Sequence, residues 1–104
     1  MRQVINGRVY DTEKARHIHG WNNGYCHGDL KYRYKALYRT ARGNWFIHHK
    51  GGPMTDMAVR VGSNSWGGDE QIEPISAKDA KAFLESHGGS EALLEWFGDE
   101  LEEA

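Results

Sequence analysis

His17, His19, Cys26 and His27 lie within eleven positions, and imidazole and thiolate are both ligands for a tetrahedral zinc ion. A structural zinc site pairs its ligands about two to four residues apart, twice over. Here His17/His19 and Cys26/His27 are too close within each pair to match a common pattern. The plainer reading is surface or capping histidines beside a buried cysteine, with no metal and no cofactor. Nucleophilic catalysis needs a nucleophile, a base and a group that orients the base, and adjacent Cys26-His27 does not supply that geometry. His48 and His49 sit next to each other in a strand-like run, so they point to opposite faces and cannot act as a pair. The glycine pairs at 51, 67 and 88 lack the lysine and hydroxyl of a phosphate-cradling loop. Nothing in these residues argues for an enzyme.

Binding chemistry is better represented. Lys31, Arg33, Lys35 and Arg39 alternate along one extended run, and Arg42 follows at a turn. A strand would set these cations in a row about 6 to 7 Å apart, close to phosphate spacing along a nucleic-acid strand. The same alternation puts Tyr32, Tyr34 and Tyr38 on the opposite face, in the core, which argues against base stacking between cations. The simpler alternative is a solvated sheet face, or an internal match to acidic helices. Carboxylates crowd the C-terminal region, with Glu95, Asp99 and Glu100 on a helix face that could imitate a phosphate backbone or remain merely solvated. Trp66 in a Gly-rich loop, and Trp96 on the last helix, are candidate anchors for a protein interface, or ordinary packing residues.

The elements that must position these residues follow from hydrophobic period and turn chemistry. Asn6-Gly7, between Val4-Ile5 and Val9-Tyr10, predicts a tight β-hairpin. Thr12 is placed to cap a helix through about His19, ended by Gly20. Residues 20–29 are turn-rich, with Trp21 and Tyr25 packing from a loop. A long strand runs from Leu30 to Arg39, with Leu37 breaking its alternation. The run from Trp45 to Lys50 returns after the Ala41-Arg42-Gly43-Asn44 turn, and the two strands form the centre of the sheet. A short helix from Thr55 or Asp56 through Val61, an exposed loop from Ser63 to Asp69, and an edge strand over Gln71 to Ile75 containing Pro74 come next. Ser76 caps a helix carrying Ala80, Phe83, Leu84 and His87, which Gly88-Gly89 terminates. Ser90 caps the last one, with Leu93, Leu94, Phe97 and Leu101 on one stripe. The fold class is therefore α+β, a small antiparallel sheet of about four or five strands with short helices on one face, two of them C-terminal.

At 104 residues and 38% hydrophobic composition, residues 1–104 make one domain with a modest core. No run approaches the ~18 apolar residues of a membrane span, and the start lacks an apolar secretory stretch, so the expectation is a cytoplasmic protein without membrane contact. The single cysteine agrees with a reducing compartment. Charge is unevenly placed. Residues 1–60 carry 11 Lys/Arg against 4 Asp/Glu, and residues 61–104 carry 2 against 11, within a net charge of −2. Such a split points to docking on a charged partner.

Several segments together resemble a known family: Val4-Ile5-Asn6-Gly7-Arg8-Val9-Tyr10-Asp11-Thr12, Leu37-Tyr38-Arg39-Thr40 with Gly43-Asn44-Trp45-Phe46, and Gly51-Gly52-Pro53-Met54 before Gly62-Ser63-Asn64-Ser65-Trp66. The resemblance continues through Ile75-Ser76 and Phe83-Leu84-Glu85. It is to small bacterial proteins common on phages, plasmids and other mobile elements, among them anti-CRISPR candidates. His17, His19 and Cys26-His27 look peculiar to this chain. The resemblance implies an inhibitor that binds a host Cas effector without chemistry, by its basic or its acidic surface. The alternative from the residues is a nucleic-acid-binding accessory protein of a mobile element, gripping phosphates through residues 31–42.

Overall fold

The computed structural model describes residues 1–63 and 65–104. Asn6 and Gly7 both take positive φ, 51° and 76°, the left-handed pair that matches a tight turn to strand twist. They join β1 (Arg2–Ile5) to β2 (Arg8–Asp11) as the expected hairpin. The main sheet contains β3 (Arg16–Asn22), β4 (Arg33–Arg39), β5 (Trp45–Gly51) and β8 (Asp69–Ile75) in the antiparallel order β3-β4-β5-β8. Between β5 and β8, β6 (Val59–Arg60) pairs with β7 (Trp66–Gly67). The chain closes with α1 (Ala77–Ser86), α2 (Ser90–Phe97) and a 3-10 turn over Gly98–Glu100. Asn64, inside the loop expected between Ser63 and Asp69, lies outside the described residues.

This is the α+β arrangement read from the sequence. Helices α1 and α2 cover one face of the sheet, burying Leu37, Trp45 and Ile47 against Ala80, Phe83, Leu84, Leu93 and Phe97. The hairpin covers part of the other face, where Tyr10 meets Phe46 and Ile72. β4 and β5 form the centre of the sheet, and β8 carries Pro74 at its edge, where a missing N–H disrupts no outer ladder.

Some elements differ from expectation. Residues 12–15 form a turn, and the predicted helix over 12–19 is replaced by β3. His17 pairs with Tyr38 and His19 with Leu37 across a register shift. A helix of that length has a costly nucleus and little to bury, whereas Ile18 and Trp21 gain packing and a full ladder by pairing with β4. Trp21 therefore lies in a strand, and Tyr25 is 45% exposed instead of packed. β4 starts at Arg33, because Asp29 and Leu30 are taken up in a turn closed by Tyr32 N–H donating to the Asp29 carbonyl at 3.1 Å. The second predicted helix, from Thr55 or Asp56 to Val61, is a turn leading into β6. The Gly51-Gly52-Pro53 segment before it tucks under Leu30, where a Cβ on Gly52 would lie 2.5 Å from the Leu30 carbonyl oxygen. Ser76 does cap α1, its hydroxyl accepting from Asp79 N–H at 3.1 Å. α2 instead starts from Gly89, and Ser90 makes no cap bond.

Candidate functional site

The basic strand does not present a free row of cations. Arg33, Lys35, Leu37 and Arg39 do share a face, but it is the face turned toward the helices, and Leu37 is wholly buried at its centre. Leu37, the apparent exception to the alternation, marks the inner side. The four charged positions divide accordingly. Lys31 is exposed in the turn before β4. Arg33 is 7% exposed, donating through Nε to Asp56 Oδ1 at 2.7 Å and through Nη2 to His49 Nδ1 at 2.8 Å. Its Nη1 donates to the carbonyls of Tyr34 and Lys50. Lys35 lies half-buried with Nζ 5.6 Å from the centre of the Trp21 ring. Arg39 is held between Trp45 and Trp96, 5.3 and 5.1 Å from their centroids. Long cationic side chains lay their stems over apolar surface and their charge over aromatic faces, which lets them occupy the margin of a core. Arg42 stands exposed at the β4–β5 turn, on the rim of a groove.

The opposite face is half-open. Tyr34 and Tyr38, expected in the core, are half-buried there, and burial raises both phenol pKa values. Tyr32 stacks on Tyr34 with centroids 6.4 Å apart, and Tyr38 on Phe46 at 5.2 Å. His48, 5% exposed, lies against Tyr34 and donates Nε2–H to Glu70 at 2.7 Å. Burial lowers its pKa in spite of Glu70, so near pH 7 the contact is a hydrogen bond from an uncharged imidazole rather than an ion pair.

His48 and His49 do fall on opposite faces. Arginine can only donate, so His49 Nδ1 is the acceptor toward Arg33, and its Nε2–H donates to Glu73 at 3.0 Å. The resulting chain, Glu73–His49–Arg33–Asp56, was not anticipated from the sequence. Its hydrogen-bonded partners are 16 to 24 residues apart along the chain, and the pairing of β4, β5 and β8 together with the turn that carries Asp56 brings them together. The hydrogen bond from Arg33 holds the Asp56 carboxyl below its usual pKa.

The histidine and cysteine cluster disperses. His17 sits edge-on to Tyr38, while His19 Nε2–H donates to the His87 carbonyl at 2.8 Å, on the helix side. His27 packs edge-on to Tyr32, and Cys26 is exposed, not buried, because its segment is a surface turn. Among the described residues, no three His, Cys, Asp or Glu side chains converge as a metal site.

The acidic candidates lie together at the surface. Glu95 is 62% exposed at its side chain and meets Arg16 at 3.5 Å, the single ion pair among the described residues that involves α2 or the segment after it. Asp99 and Glu100 are exposed in the 3-10 turn. Leu94, expected on the buried stripe, is 65% exposed. One residue beyond Leu93 is a rotation of about 100°, so Leu94 leaves the stripe set by Leu93 and Phe97 and joins Glu91 and Glu95. Trp66 is 61% exposed in β7, whereas Trp96 is half-buried, edge-on to Trp45 and flanked by Arg16 and Arg39. No family model, curated protein or solved structure matches this chain.

Proposed function

We propose that this chain is a non-catalytic inhibitor that binds a host CRISPR–Cas effector and blocks its assembly or its access to nucleic acid. The outer face of α2 is its docking surface. The observation that carries the reading is the make-up of that face: Glu91, Leu94 and Glu95, at i, i+3 and i+4, are all exposed, with Asp99 and Glu100 continuing beyond. Leu94 gives this acidic face an apolar contact beside its charge. In a basic nucleic-acid channel the carboxylates would take the place of phosphates, while burial of Leu94 adds about 1.5–3 kcal/mol. Among the described residues, ion pairs between a Lys or Arg of residues 1–60 and a carboxylate of residues 61–104 amount to one exposed contact, Arg16–Glu95, a type of pair worth ~0–1 kcal/mol. The acidic surface is therefore available to a partner. Such an inhibitor acts in the bacterial cytoplasm, and among the described residues no helix is long and apolar enough to cross a membrane.

A second reading, a nucleic-acid-binding accessory protein using residues 31–42, is favoured by exposed Lys31 and Arg42. Arg33 is spent internally and drops out of it. A pull-down of the tagged chain from a CRISPR-bearing host, with and without nuclease, separates the two. A Cas subunit retained after nuclease supports the inhibitor. Nucleic acid alone, with every protein partner lost on nuclease treatment, overturns it in favour of phosphate binding.

A further inference from the structure

The hairpin and the β4–β5 turn enclose a groove of about 800 Å³ whose lining includes Arg2, Arg8, Lys14 and Arg42 against one carboxylate, Asp11. Asp11 is already engaged, its Oδ1 accepting Glu13 N–H at 2.9 Å. None of the four cations forms an ion pair among the described residues. A shallower depression shares Lys14, Thr40 and Ala41 with the groove and extends it past Arg16 and Arg39 to Trp96. Four unpaired cations around one concavity repel one another, and low-dielectric walls concentrate their potential, so the site favours a ligand that brings several negative charges.

The geometry points to this groove as a binding site for the phosphodiester backbone of single-stranded nucleic acid. Three of the four lining cations are arginines, whose planar forks match phosphate oxygens two at a time. The volume lies within the ~300–1,000 Å³ of sites that enclose a small ligand, room for a short stretch of one strand. Val9, 58% exposed on the same wall, offers an apolar contact to sugar or base. Arg39, fixed between two indoles, holds a guanidinium in place where the depression continues the path. The hairpin groove itself is lined by no α2 residue, and only its extension reaches that helix, at Trp96, so the groove stands whether or not the chain inhibits a Cas effector. It relocates phosphate binding from the basic strand to the hairpin.

The test is fluorescence anisotropy of a labelled short oligothymidylate with the full chain between 50 and 200 mM salt. Four phosphate contacts at about 0.7 each give a log–log salt slope near −2.8, roughly a fiftyfold loss of affinity over that range. Arg42→Glu, on an exposed turn, and Arg8→Glu should each weaken binding at least about fivefold and flatten the slope by about 0.7. Glu85→Gln, on the exposed side of α1 and outside the groove, should do neither. Circular dichroism of the variants confirms that the fold is kept. Absence of saturable binding at 50 mM salt, or binding that Arg42→Glu leaves unchanged, overturns the site. Polyglutamate competing as well as unlabelled oligothymidylate overturns its selectivity for phosphate, and inorganic phosphate competing at the same concentration overturns its need for a strand.

Discussion

A guanidinium held at 7% exposure needs an acceptor for each N–H it buries, and Arg33 finds them in Asp56, His49 and two backbone carbonyls. Arg33→Met keeps most of the volume but leaves those acceptors unpaired, each at about 1–3 kcal/mol where buried. The expected loss of stability is about 2–4 kcal/mol by chemical denaturation, and a loss under ~0.5 kcal/mol would contradict the network. His48 and His87 both have pKa values lowered first by burial. The unfolded chain therefore takes up their protons first. The stability they contribute is complete above the ordinary histidine value of about 6.5 and is lost as pH falls below it toward the folded values. The thermal midpoint should hold between pH 7.5 and about 6.5 and drop from there to pH 5, and the double variant His48→Gln/His87→Gln should flatten that decline. An unchanged decline in the double variant would place its origin elsewhere. Asp56, whose pKa is lowered by the Arg33 hydrogen bond, adds a separate loss below about pH 4, as its carboxylate is protonated.

At the level of elements, caps give the sharpest contrast. The Ser76 hydroxyl accepts from Asp79 N–H, whereas Ser90 caps nothing. Ser76→Ala should cost about 1 kcal/mol and Ser90→Ala less than ~0.5 kcal/mol in equilibrium unfolding; equal costs would mean that the caps are misassigned. The elements legible in the sequence were those with a local cause: the Asn6-Gly7 hairpin, the central β4–β5 pair, the Pro74 edge strand and the Ser76-capped helix. β3 was missed because the gain from His17, Ile18 and Trp21 pairing with β4 is non-local, while Thr12 and Gly20 offered helix boundaries nearby. The side of β4 that faces the helices was read the wrong way round, since three cations outvoted Leu37. Their fate depended on Asp56, Trp21, Trp45 and Trp96, all distant in sequence. The basic groove could have been found from Arg2, Arg8 and Arg42 had the hairpin and the β4–β5 turn been placed side by side.

As a whole the molecule is a slab, 52 × 35 × 19 Å with a radius of gyration of 15.2 Å, against about 13 Å for a compact chain near this length. A thin sheet covered by helices on one face and by a hairpin on part of the other exposes much surface for its size. Among the described residues its two charged regions meet in one ion pair, Arg16–Glu95, and are otherwise separate: cations line the groove at the hairpin end, and carboxylates line the outer face of α2 and the tail. That separation suits a protein that works by occupying a partner's surface. The central claim is most directly tested by phage plating on a CRISPR-immune host whose Cas subunit the pull-down retains, comparing the unmodified chain with Glu95→Gln/Asp99→Asn/Glu100→Gln and with Leu94→Ala. The account predicts that the unmodified chain restores plating and that both variants lose at least about tenfold of that effect at unchanged thermal midpoints. Full inhibition by the acid-neutralised variant would contradict it.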